Sequence, residues 1–178
     1  GDKNNNKVSK KPFIVTEERE TGEGGTKDRC CNDKKLVLNI GLVGRSYVVE
    51  DRWINNNIKS SLKNLGCNIV TEKTYRCYHE NTSGPTQGLQ NNINHFTLTG
   101  NSIITIQKMN NDSRIDGIIY LIPFNCGPDA GVELTVKSNG LNKPFLKLVI
   151  DEGKGMAGTQ TRLEAFIDIL NYELVSHL

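Results

Sequence analysis

The segment Asp116 to Asp129, DGIIYLIPFNCGPD, constrains this chain most: five consecutive apolar positions, Ile118 to Ile122, stop at Pro123, and a cysteine follows at 126. The run is too continuous for a strand with one wet face, and the proline opposes continuation as a helix. It predicts a parallel strand covered on both sides. Ligands of open α/β sheets gather at the carboxyl ends of such strands, where Asn125, Cys126 and Gly127 would stand. Cys126 is thus either a site residue by position or a small apolar filler, because cysteine is among the most buried residue types.

The flanking sequence supplies the rest of a βαβ(α)βαβα order. LVLNIGLVG, residues 36 to 44, reads as a first strand, and Arg45-Ser46-Tyr47 as the loop after it. Ile54, Ile58, Leu62 and Leu65 recur at helical spacing between Asp51 and Gly66, with Lys59 and Lys63 on the other face. CNIVT, residues 67 to 71, is a second strand in which Cys67 alternates with Ile69 and reads as core. Residues 72 to 114 are broken by Gly84-Pro85 and Gly88, and a helix is expected somewhere in 92 to 110. Pro128 suits the first turn of a helix over 129 to 138, closed by Gly140 and Pro144. FLKLVI, residues 145 to 150, is a fourth strand. After the loop 153 to 158, Thr159 or Thr161 can cap a last helix carrying Leu163, Phe166, Ile167 and Leu170 on one face. The fold expected is a three-layer α/β domain, flavodoxin- or Rossmann-like. Its parallel sheet has about four strands in order 2-1-3-4, with helices on both faces.

Length and composition bound the remaining possibilities. A chain of 178 residues holds one domain of ordinary size, here 36 to 178. Residues 1 to 35 carry too few apolar side chains to offset their ordering entropy and are expected to be a disordered tail or linker, apart from a short edge strand at Pro12 to Val15. Net charge of +2 with scattered basic residues gives no nucleic-acid face. No run approaches the roughly 18 apolar residues of a membrane span, so neither membrane attachment nor export is expected, and the location expected is the cytoplasm.

Five cysteines without a CxxC spacing form neither a disulfide framework nor a self-contained zinc site. The adjacent Cys30 and Cys31 read as incidental, and His79 and His95 as solvated. Three loops are expected to converge on one rim: Gly44 to Tyr47, Phe124 to Pro128, and Asp151 to Gly158. That makes Gly44, Arg45, Ser46, Asn125, Gly127, Asp151 and Glu152 candidate binding residues and Cys126 a candidate metal ligand. Asp151 and Glu152 can act as acid–base groups or simply cap a turn and pair with Arg162. GLVG is no GxGxxG fingerprint, and phosphate-loop and GxSxG motifs are missing. A thiolate suits soft metals and iron–sulfur clusters, but one cysteine cannot hold a cluster.

Four blocks, NIGLVGRSYVVEDRWINNNI, DGIIYLIPFNCGPD, KPFLKLVIDE and TRLEAFIDIL, span most of residues 38 to 170. In that order they resemble the carboxy-terminal domain of the activase-related branch of the 2-hydroxyacyl-CoA dehydratase superfamily. The resemblance implies a cytoplasmic protein of anaerobes whose Rossmann-like subdomains share a four-iron four-sulfur cluster used in electron transfer or dehydration. Cys126, the cysteine of the FxCG element, would be one ligand, and another domain or subunit would supply the others. It also implies an acyl-CoA substrate, a lyase or electron-transfer activator as the intact protein, and an inactive isolated chain without a stable cluster. Relatives tend to carry His-Pro where this chain has Arg45-Ser46, and DEHTGEAG where it has DEGKGMAG. Gly153 and Met156 thus replace an ionisable pair. From another class, the same residues fit a non-catalytic docking module or a flavodoxin-like ligand-binding domain.

Overall fold

A computed structural model describes residues 37–80, 97–151 and 157–176. The expected tail 1 to 35 with its edge strand at Pro12 to Val15, the pair Cys30–Cys31, His95, Glu152 and the loop 153 to 156 lie outside them. The elements run β1 (Asn39–Gly44), α1 (Ser46–Glu50), α2 (Ile58–Asn64), β2 (Asn68–Thr71), α3 (Glu72–Glu80), α4 (Thr97–Asn111), β3 (Gly117–Pro123), α5 (Gly127–Ser138), β4 (Phe145–Ile150) and α6 (Ala157–Ser176). The four strands are all parallel in the order β2-β1-β3-β4. This is the flavodoxin-like α/β sheet read from the sequence. No helix among the described residues is long and apolar enough to cross a membrane.

β3 is buried on both faces, as its unbroken apolar run requires. Successive side chains of a strand point to opposite faces. Ile119 and Leu121 accordingly join Ile40 and Leu42 in one core with Val48, Val49, Ile58, Leu62 and the buried Cys67. Ile118, Tyr120 and Ile122 join Val43, Ile106, Met109, Val132 and Val136 in the other. α1, α2 and α6 therefore cover one face, and α3, α4 and α5 the other. Leu163, Phe166, Ile167 and Leu170 of α6 are all buried. At roughly 1.5–3 kcal/mol each, that stripe outweighs any intrinsic helix preference. α6 approaches the sheet over Gly117, where an added Cβ would lie 2.8 Å from Leu170 and 3.0 Å from Phe166.

Three local expectations need correction. The helix expected from Asp51 begins only at Ile58, because residues 51 to 57 form a turn of their own. Asp51 accepts hydrogen bonds from the backbone N–H groups of Trp53 and Ile54, and the buried Asn55 donates from Nδ2 to the carbonyls of Val48 and Val49. Asn56 and Asn57 then take positive φ, 53° and 57°, a conformation that asparagine tolerates through local hydrogen bonding. Ser46 and Tyr47 belong to α1 rather than to a loop. Neither Thr159 nor Thr161 caps α6, which starts at Ala157, and the Thr161 hydroxyl instead donates to the Ala157 carbonyl within the helix. Arg162 donates to the Lys147 carbonyl. α3 was not legible in the polar sequence after β2.

Candidate functional site

The parallel register sets the geometry of the rim. Gly44, the last residue of β1, pairs with Leu121 of β3, so the residues just past the two strand ends come side by side. The approach is close: a Cβ on Gly44 would lie 2.7 Å from the Leu121 carbonyl oxygen. Arg45 follows as the extended N-cap residue of α1. Across from it, Asn125 at φ 61° turns the chain sharply, with the Cys126 N–H donating to the Pro123 carbonyl. Cys126 thereby becomes the N-cap residue of α5.

The connection after β1 leaves toward one face of the sheet and the connection after β3 toward the other. The gap between them is the switch point of the topology, the place where open α/β sheets collect ligands. Arg45 bridges that gap. Its Nε donates to Asp129 Oδ2 at 2.7 Å and its Nη2 to Oδ1 at 3.2 Å, in the two-pronged geometry that favours arginine. Nη2 also lies 3.5 Å from Cys126 Sγ. The Cys126 thiol donates in turn to Asp129 Oδ2 at 3.0 Å.

Asp129 is the hub. It is 1% exposed in the first turn of α5 and accepts further hydrogen bonds from Thr99 and Tyr120. A buried carboxylate is costly unless it is paired and hydrogen-bonded, and here guanidinium, thiol and two hydroxyls all meet it. The Asp129 hydrogen bond holds the Arg45 guanidinium even more firmly protonated than usual. Burial, and then the Asp129 charge, push the Tyr120 phenol above its ordinary range, while a hydrogen bond with Ser102 opposes them.

The candidate residues named from sequence divide accordingly. Arg45 and Cys126 meet, with Asn125 and Gly127 exposed on either side of the cysteine. Gly44 is buried beneath them and Ser46 is exposed beside them. Gly127 is not needed for close approach, since a Cβ there would touch nothing within 4 Å. Asp151 follows Ile150, whose carbonyl accepts the Phe124 N–H one strand away from the cysteine. Sequence reasoning missed Asp129, Tyr120, Thr99 and Ser102. One signal was present: a tyrosine inside a fully apolar strand needs a hydroxyl partner, and the next carboxylate along the chain is Asp129.

No protein-family model and no curated protein matches this sequence. The site must therefore be read from its own geometry. Cys126 lies with its body against the second core and its sulfur toward Arg45 and Asp129, half-buried and reduced. No group of three or more His, Cys, Asp or Glu side chains among the described residues could hold a metal ion. Beside the network, a cleft of about 570 Å³ opens between the end of β1, the start of α3 and the α4 residues Asn101 and Ser102.

Proposed function

We propose that this chain is the carboxy-terminal α/β domain of an iron–sulfur protein related to the 2-hydroxyacyl-CoA dehydratases and their activases. In this reading Cys126 supplies one thiolate ligand to a four-iron four-sulfur cluster used in electron transfer or dehydration. The observation that carries it is the placement of the Cys126 sulfur: half-buried, just past the carboxyl end of β3, one of the two central strands, with a guanidinium N–H within reach. Thiolate is the donor that iron–sulfur clusters take, and hydrogen bonds to cluster sulfurs are one of the levers on their potential. When the thiol proton leaves, Arg45 remains as the donor facing the sulfur. One cysteine supplies at most one corner of a cluster, so in this reading the other ligands come from a further domain or subunit and the isolated chain is inactive.

Anaerobic reconstitution of the native-length protein tests this. Iron and sulfide content and the thiolate-to-iron charge-transfer absorption are compared among the parent, Cys126→Ser and Cys67→Ser. The expected result is loss of cluster in Cys126→Ser alone. Equal iron and sulfide in that variant would remove the assignment.

A further inference from the structure

We propose that the cleft between Arg45, Lys73 and Arg76 is a binding site for a small organic oxyanion whose apolar body lies against Tyr47 and Val49. Its volume of about 570 Å³ falls within the range of small-molecule pockets, roughly 300–1,000 Å³. Its place at the carboxyl ends of β1 and β2, beside the switch point, is where this architecture takes ligands. The proposal stands apart from the assignment of Cys126, since none of its contacts involves the sulfur.

The charges point to an anion. Three cations line the cleft against two carboxylates, Glu50 and Glu72. Both carboxylates are already engaged: Glu50 pairs with Lys59, outside the cleft, and Glu72 with Arg76 one turn along α3, a pair that neutralises Arg76 as well, so the excess positive charge rests on Lys73 and on the free edge of Arg45. Lys73 is exposed and makes no ion pair among the described residues. Arg45 spends Nε and Nη2 on Asp129 and Cys126, which leaves its Nη1 donors without a partner among the described residues. A guanidinium has five N–H donors, so Arg45 can serve Asp129 and an oxyanion together. Tyr47, half-exposed on α1, and the nearly buried Val49 also line the cleft, so a ligand there meets apolar surface beside the charges. Carboxylates and phosphate monoesters share the required chemistry.

Amide chemical-shift titrations of the iron-free 178-residue chain with phenyl phosphate, benzoate and benzyl alcohol test the proposal. At least one of the two anions is expected to bind, shifting residues 44 to 50 and 71 to 76, with benzyl alcohol at least tenfold weaker. Whichever anion binds more tightly identifies the oxyanion source. Lys73→Glu, a change on an exposed side chain, is expected to weaken that anion at least tenfold, and Lys73→Gln by less. Absence of binding by both anions, shifts confined to other residues, undiminished affinity in Lys73→Glu, or equal binding of benzyl alcohol would each overturn it.

Discussion

The Arg45 guanidinium and the Asp129 carboxylate, 84 residues apart in the chain, close to 2.7 Å across the switch point of the sheet. Asp129 has a side chain only 2% exposed, whereas that of Arg45 is 21% exposed. Removing the arginine therefore strands a buried charge. Arg45→Ala is expected to destabilise the domain by about 3–5 kcal/mol, measured by urea unfolding. Arg45→Lys should recover only part of that, because an ammonium cannot reproduce the two-pronged contact. A loss under about 1 kcal/mol in Arg45→Ala would mean that the thiol and hydroxyl donors suffice for Asp129.

Gly44 of β1 packs closely against Leu121 of β3. Gly44→Ala would press a methyl group on the Leu121 carbonyl, backbone that cannot swing aside, at a residue whose φ is 158°. A cost of about 2 kcal/mol or more is expected, read as a lowered Tm, with Gly127→Ala close to neutral because its Cβ meets open space.

Asn57 holds the N-cap position of α2 in the left-handed conformation, φ 57° and ψ 29°, without a side-chain capping hydrogen bond. Asn57→Ala is expected to lose about 1 kcal/mol and Asn57→Gly to lose none, because glycine enters this region without a Cβ penalty. Equal stabilities in urea would show that the turn at 51 to 57 rearranges.

Three side chains give the stability opposite pH limbs, one acid and two alkaline. Burial raises the Asp112 carboxyl, but hydrogen bonds and charge from Arg114, with the Tyr75 hydroxyl, prevail and hold it at about 2 against an ordinary 3.8. A depressed carboxyl stabilises the fold above its unfolded value. That contribution, on the order of 2 kcal/mol, is lost as pH falls from about 4 to about 2, and Asp112→Asn should flatten this acid limb. Tyr75 and Tyr120 are raised, chiefly by burial. Their folded forms keep the proton longer, so stability falls as pH rises past about 10. Tyr120→Phe and Tyr75→Phe should each weaken that alkaline limb in urea melts taken from pH 8 to 11.

The chain by itself determined the strands and their order. β3 announces itself by five apolar residues before a proline, and β4 and α6 by the periods of FLKLVI and of Leu163, Phe166, Ile167 and Leu170, because burial is a property of the local pattern. Cys126 was legible for the same reason, as the residue where a buried strand ends. The turn at 51 to 57 was not, since Ile54 and Ile58 keep helical spacing while the hydrogen bonds of Asp51 and Asn55 and the tolerance of Asn56 and Asn57 for positive φ divert the backbone. Nor was the partnership of Cys126. That Arg45 and Asp129 bracket its sulfur depends on β1 lying beside β3 in one register, a long-range pairing that no window of sequence contains. Only the folded sheet brings the charges of residues 45 and 129 together, where the burial of the Asp129 carboxylate makes a cationic partner necessary.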